Sequence, residues 1–447
     1  MEKKAANEVF FFHIFPTIRL QLSPMKLLHT SDWHLGRMLF TKRRYAEFEQ
    51  FLDWLLDVIT TERVDYLVVA GDIFDTTTPS NQAQELYFHF LGRLAESKSS
   101  CRHVVITAGN HDSPALIESP KSLLKSLNIH VVANVDSNEP EKEIFLFADS
   151  NGIPELVVCA VPYLQDRDVR KSLPGETFED KHRKLLEGIA EHYRNVFVKA
   201  KEIRDQAAAK SGRHIPMIAT GHLFATGSKI SAEDLETGDG VRDLYVGNLS
   251  CVSAEIFPDY VDYVALGHLH VPQKIAATET IRYSGSPIPM GFGESRQEKI
   301  VNIVEFEKDE KSVSVESIPV PRFQNLRQIR GNWGEITHEI QKLKEHHENI
   351  WLEIEYTGQE VMPDLKSKVE TEVSGCSLEV LRVQNRQVID NIHLTREKAK
   401  GRDLHELGLD EVFRLKLDSE SIPPSQQEEL ISVYHEVVGG MHIQQRQ

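Results

Sequence analysis

The stretch KLLHTSDWH, Lys26–His34, decides the fold. Lys26–Ser31 is short, carries the apolar pair Leu27-Leu28 and closes on polar residues, as a buried strand end does. It runs straight into Asp32-Trp33-His34. The same pattern then recurs along the chain. Val64–Ala70 leads to Gly71-Asp72, and Val104–Ala108 to Gly109-Asn110-His111-Asp112. Pro216–Thr220 leads to Gly221-His222, and Val261–Leu266 to Gly267-His268-Leu269-His270. In a sheet covered by helices, the carboxyl ends of the strands form the ligand crevice. Strand ends that carry Asp, Asn and His in this order imply one convergent site.

A single histidine is no signal in a chain that has 20 of them. A lone Gly-Asp or Gly-His pair is equally uninformative. The weight rests on the ordered set of strand-end motifs, two of which carry a further polar residue at i+2.

Between the motifs the chain alternates strand and helix. Tyr45–Thr61 places Phe48, Leu52, Leu55, Leu56 and Ile59 on one helical face. Ser80 or Asn81 is expected to cap a helix running to about Ser97. Ile129–Val135, Ile144–Ala148 and Leu156–Pro162 read as strands of a second sheet. Thr177–Ala209 reads as a long charged helix with an apolar stripe and no sustained heptads. Ala225–Asn248 reads as a long surface loop, and Ile300–Phe306 and Val313–Val320 as closing strands. The expected class is α/β: two stacked sheets flanked by helices. Lys42-Arg43-Arg44 is either a solvated helix start or a phosphate contact.

The chain has 447 residues, enough for two or three domains. Pro319-Val320-Pro321 marks a boundary, with the larger domain at 25–318. Beyond it, 322–390 reads β-α-β-α-β, a small α+β domain without a catalytic cluster. Residues 391–447 carry two helical pieces, Leu404–Leu417 and Ser425–Val438, either a docking element or simple packing. Residues 1–24 read as an extension ahead of a natural start at Met25. Their apolar run is too short and broken for a membrane span and lacks the small-residue cleavage site of a signal peptide, and no other segment approaches transmembrane length.

The four cysteines, Cys101, Cys159, Cys251 and Cys376, form no CxxC pair. They read as reduced, buried thiols of a cytoplasmic protein rather than a zinc site. The net charge is −17, which argues against holding nucleic acid by bulk electrostatics alone. A nuclease remains open, because bound metals or a partner protein can supply positive charge.

Asp32, His34, Asp72, Asn110, His222, His268 and His270 together suit a pair of divalent metals, with Asp72 as the natural bridging carboxylate. Such a pair generates hydroxide and clamps the phosphoryl oxygens of an in-line displacement. His111 is then left as an acid for the leaving oxygen or the charged transition state. Asp112, adjacent, is a candidate to orient or charge it. Imidazoles mixed with carboxylates and an amide favour a metal softer than Mg²⁺, and two Mn²⁺ ions are expected.

These motifs resemble the calcineurin-like metallophosphoesterase superfamily: D-x-H, G-D, G-N-H-[DE], a single H and G-H-x-H. Leu28–Gly36, Gly71-Asp72-Ile73-Phe74-Asp75, Gly109–Ser113 and Gly267–His270 further resemble the bacterial SbcD family of nuclease subunits. So do the C-terminal stretches Leu404-His405-Glu406-Leu407 and Val412-Phe413-Arg414-Leu415. The resemblance implies one metal on Asp32, His34, Asp72 and His270, and another on Asp72, Asn110, His222 and His268. His111 would act on the scissile phosphate. The small domain would be a capping domain that helps select DNA. The C-terminal helices would dock on an SbcC-type, SMC-like ATPase at the root of its coiled coil. The resemblance also implies a heterotetramer containing a homodimer of this chain. It would cut DNA ends and hairpins with ATP, and single strands without.

Two other functions compete. A phosphatase or small-molecule phosphodiesterase of the same superfamily is disfavoured, because Gly71-Asp72-Ile73-Phe74-Asp75 continues Thr76-Thr77 and lacks the Arg of the protein phosphatases' Gly-Asp-x-x-Asp-Arg-Gly. A non-catalytic DNA-end scaffold is disfavoured by the full ligand set with His111.

Overall fold

The computed structural model describes residues 24–386 apart from 98, 171–174, 226–251, 276–277, 308–310, 346–348, 361 and 363. The N-terminal extension, the loop 226–248 and both C-terminal helical pieces therefore lie outside the described residues, as does Cys251.

Two six-stranded sheets form the first of two compact units. In one, the strands run Val313–Pro319, Ile300–Phe306, Met25–Thr30, Tyr66–Ala70, His103–Thr107 and Ile129–Val132. Met25–Thr30 to Ile129–Val132 are parallel, so their carboxyl ends share one edge. The second sheet runs Gln273–Lys274, Ile281–Tyr283, Tyr263–Gly267, Met217–His222, Pro154–Cys159 and Ile144–Ala148. Its parallel pair Met217–His222 and Tyr263–Gly267 delivers the last two motifs.

Tyr66–Ala70 is buried at every position, which explains its unbroken apolar sequence. Leu27, Val68, Val105 and Val304 of one sheet face Leu156, Val158, Ile218 and Ala265 of the other across a common core. Full burial of each such Val, Leu or Ile side chain is worth about 1.5–3 kcal/mol. The outer face of the second sheet packs Val157, Met217 and Ala219 on Tyr193, Val196, Phe197 and Ala200 of a helix. That helix spans Phe178–Ser211, opens with a Thr177–Asp180 capping box and ends at Gly212 in the left-handed region. It takes the place expected for Thr177–Ala209. Ser80 caps the helix Asn81–Glu96, its Oγ accepting from the Ala83 amide.

Three expectations are corrected. Ile129–Val132 pairs with His103–Thr107 and so belongs to the first sheet; an apolar run does not itself say which sheet it joins. Arg44 is no phosphate contact. Its buried guanidinium pairs with Glu47 at 2.7 Å and donates to the Pro289 carbonyl at 2.6 Å. Of the free cysteines, Cys159 is buried but Cys101 and Cys376 are only partly so.

The second compact unit contains the described residues from Arg322 on, together with Met38–Lys42 and Gly291–Arg296. Three parallel strands, Asn325–Gly331, Ile350–Tyr356 and Leu378–Asn385, alternate with the helices Trp333–Glu345 and Leu365–Val373. Ile329, Ile336, Ile340, Leu352, Ile354 and Val369 fill the core between them. Leu39 and Phe292 from the two early segments cluster with Leu326 and Trp351. Lys42 of the basic triplet pairs with Glu379 here. The sequence division into contiguous stretches did not register these two excursions. The signal for the first was an apolar Met38-Leu39-Phe40 inside a polar loop.

Candidate metal centre

The strand ends are laced before any side chain is considered. The Asp32 amide donates to the Gly71 carbonyl, and the His34 amide to the Asp72 carbonyl, each at 3.0 Å. Asp32, His34 and Asp72 have φ near +50°, and His268 has φ of +99°. Non-glycine residues rarely adopt positive φ. Such strain persists where surrounding structure imposes it, and it concentrates at functional sites.

Two glycines permit the close approach. A Cβ on Gly109 would stand 2.1 Å from Asp72 Oδ1. A Cβ on Gly267 would stand 1.9 Å from the Ala70 carbonyl oxygen and 2.9 Å from His222 Nδ1. Gly267→Ala must therefore push His222 off the Ala70 strand. We expect metal binding to weaken by about 10–100-fold, the scale seen when ligand orientation is disturbed. Equilibrium dialysis would read this, and unchanged affinity would refute the packing argument.

The donor atoms converge in two groups. His34 Nε2 lies 3.1 Å from His270 Nε2 and 3.6 Å from Asp72 Oδ2. The donor atoms of Asp32, His34 and His270 all fall within 4.8 Å of one another. On the other side, His222 Nε2 is 3.3 Å from the same Asp72 Oδ2 and 3.0 Å from Asn110 Oδ1. His268 Nδ1 is 2.9 Å from Asn110 Oδ1. Asp72 Oδ2 thus stands between both groups, while Oδ1 accepts the His111 amide at 2.9 Å. All seven predicted ligands are brought together.

The arrangement fits divalent cations. Two imidazole nitrogens aimed at each other across 3.1 Å can share at most one proton, and the donor set holds several such electron-rich atoms on one spot. The tautomer of His222 is fixed as a ligand requires. Its Nδ1–H donates to the Ala70 carbonyl at 3.0 Å, leaving Nε2 for a metal.

His111 stands apart in its bonding. Its Nδ1–H donates to the Asp75 carbonyl at 2.8 Å, so Nε2 is the atom left for proton transfer. Its ring packs edge-on against His34, with centroids 4.9 Å apart. Its nitrogens also come within ligand reach of His34 and Asp72.

The role expected for Asp112 is corrected. Its carboxylate accepts the amides of Gly109 at 2.8 Å, Phe74 at 2.9 Å and Ile73 at 3.1 Å. Among the described residues no hydrogen bond joins it to His111. Asp112 braces the two loops against each other, and burial pushes its carboxyl up to about 6.

Sequence reasoning missed three supporting residues. Asp75 lies 3.5 Å from His34 Nδ1 and accepts from Arg37 at 3.2 Å, besides lending its carbonyl to His111. Ser31 donates to Asp32 Oδ2 at 2.5 Å and meets the Ser284 hydroxyl at 2.8 Å. A hydroxyl directly before a ligand was the available signal for Ser31. Nothing marked Ser284, some 250 residues away.

Burial and the mutual charges of the ligands compete in the electrostatics of the centre. Burial raises the Asp32 carboxyl and lowers the His34 imidazole. Burial, with the His222 charge, pushes His268 down to about 3. Burial would also raise Asp72, but His222, His34 and His111 outweigh it and hold that carboxyl well below its usual range. Burial would lower His222, but Asp72 overrides it and pushes the imidazole up to about 9.

Metal-free His222 is therefore protonated at neutral pH. This pair stabilises the metal-free fold fully below the ordinary histidine value, and that contribution is lost as pH rises through about 9. A metal needs the same Nε2 deprotonated, so loading should expel a proton. Between about pH 7 and 9, affinity is expected to rise with pH. Calorimetry in two buffers of different ionisation enthalpy would show the release, and its absence would contradict the pairing.

A six-plus-six-stranded sandwich with this donor set defines a class, and comparison with known proteins agrees. The family model described as calcineurin-like phosphoesterase matches residues 25–272, more than half of the chain, so the chain belongs to that family. A second model, described as type 5 capsule protein repressor C-terminal domain, matches residues 322–421.

Within that class the chain belongs to the SbcD family of nuclease subunits. It is 36% identical over 409 residues to the SbcD subunit of the SbcCD nuclease of Escherichia coli K12, covering 91% of this chain and 96% of that one. The SbcD subunit of Rhodobacter capsulatus is 31% identical, covering 67% of this chain and 70% of its own. That of Bacillus subtilis is 32% identical, covering 64% and 68%. Among the described residues no helix is long and apolar enough to cross a membrane.

Proposed function

We propose that this chain is the nuclease subunit of an SbcCD-type complex, hydrolysing phosphodiester bonds of DNA at a centre of two Mn²⁺ ions. The observation that carries the reading is Asp72 Oδ2, set 3.6 Å from His34 Nε2 and 3.3 Å from His222 Nε2, so that two donor sets share one carboxylate. Asp32, His34 and His270 would hold one ion with Asp72. Asn110, His222 and His268 would hold the other. The mixed imidazole, carboxylate and amide donors suit Mn²⁺.

Such a metal pair supplies an activated water and neutralises phosphoryl oxygens. The chain supplies the rest. The Ala70 carbonyl and the Asp32 carboxylate fix His222 and the His268 main chain. The Asp75 carbonyl accepts from His111 Nδ1–H, and the imidazolium form would give its second proton, on Nε2, to the departing sugar oxygen.

An acidic chain needs help to hold DNA. The net charge of −17 supports a partner that supplies the binding surface, and an SbcC-type ATPase fits that need. The capping role of 322–390, docking by 391–447, a cytoplasmic setting and a heterotetramer containing a homodimer of this chain belong to the same reading.

The test is cleavage of linear duplex, hairpin and single-stranded DNA with Mn²⁺, with and without the ATPase and ATP. Duplex and hairpin cutting should require partner and nucleotide, and single-strand cutting should not. Release of phosphate from a monoester with no DNA cut would overturn the reading.

A further inference from the structure

Lys299 is a buried cation outside the ligand set. Its residue is 4% exposed. Nζ donates to the His270 carbonyl at 3.1 Å, to Ser286 Oγ at 3.0 Å and to Gln297 Oε1 at 3.2 Å. The Ser286 hydroxyl can accept this bond because its own proton goes to the Ile288 carbonyl at 3.0 Å. The His270 carbonyl also accepts the Ser286 amide at 3.2 Å. Gly285 packs so closely that a Cβ there would stand 2.5 Å from the same oxygen.

The His270 main chain is thus held by an ammonium, an amide and a glycine contact. Its side chain meanwhile reaches to 3.1 Å from His34. The other donor set is held differently: His222 by the Ala70 carbonyl, and the His268 amide by Asp32. Burying an ammonium is costly unless its hydrogen bonds are made. An apolar chain of equal length would fill the space without that cost. The ammonium's bonds to the His270 carbonyl and the Ser286 hydroxyl tie it to the His270 main chain.

We propose that Lys299 is a positioning residue for His270. It fixes the His34–His270 half of the metal centre and leaves the Asn110–His222–His268 half untouched. The proposal rests on the reading that His270 holds a metal ion.

The test is Mn²⁺ titration of the purified full-length chain, with free ion counted by its magnetic resonance signal. Lys299→Met should weaken one of two binding steps by about tenfold or more, the scale of lost outer-sphere support, and leave the other within about twofold. His270→Ala should remove that same step. Adding Lys299→Met to His270→Ala should then change nothing, because the two act through one ligand.

Parental binding by Lys299→Met, equal weakening of both steps, or weakening of the remaining step when Lys299→Met is added to His270→Ala would each overturn the proposal. If Lys299→Met does not fold, Ser286→Ala keeps the charge and removes one of its anchors. It should weaken the same step less, and unaltered binding would overturn the proposal. Two intact steps in His270→Ala would instead overturn the ligand assignment itself, a separate and recognisable result.

Discussion

His111→Ala is expected to keep its full metal complement and to lose DNA cleavage by about 10²–10⁴-fold, the range supplied by a positioned general acid. The substitution spares the contact that matters for the metals, because Asp72 Oδ1 is held by the main-chain amide of residue 111. It removes only the imidazole, whose Nδ1 is anchored on the Asp75 carbonyl at 2.8 Å. Metal content by elemental analysis and cleavage of single-stranded DNA are the paired measurements. The donor atoms of His111 do come within reach of those of His34 and Asp72. If metal content falls in step with activity, His111 is a ligand and its chemical role is different.

Asp72→Asn should do the opposite: weaken both binding steps by at least about 10²-fold and take cleavage to background, since the amide removes the charge that both donor sets share. It keeps the shape and an acceptor for the His111 amide. A second signature follows from the same loss. Asp72 raises the His222 imidazole to about 9 against the effect of burial. Without it, the strongest influence raising that imidazole is gone, so the proton released on metal loading should shrink. Loss of one binding step with the other intact would show that Asp72 serves a single ion.

Much of this was legible in the sequence because the site is a strand-end site. Apolar β-branched runs reveal buried strands, and the residue following each run sits at the crevice of a parallel sheet. All seven proposed ligands could be named that way. The parts that were not legible depend on long-range pairing. Asp112 looked like a partner for its neighbour His111, but adjacency along a loop does not set direction; its oxygens face amides of Gly109, Ile73 and Phe74. Ile129–Val132 looked like part of the second sheet because pairing is absent from a one-dimensional pattern. Lys299 and Ser284 carry no local motif, and their meaning comes from His270 and Ser31 brought close by folding. Arg44 sat in a basic triplet that reads as either a solvated helix start or a phosphate contact, yet Glu47 one helical turn later was already its buried partner.

The shared Asp72 carboxylate is the centre of the account, and Mn²⁺ binding to the wild-type chain tests it most directly. Titration followed by electron paramagnetic resonance should end at two ions per chain. Their spectrum should be that of an exchange-coupled pair about 3.5–4 Å apart, as in two-metal phosphodiesterase centres. Saturation at one ion, or two ions with independent spectra, would contradict a bridge through Asp72.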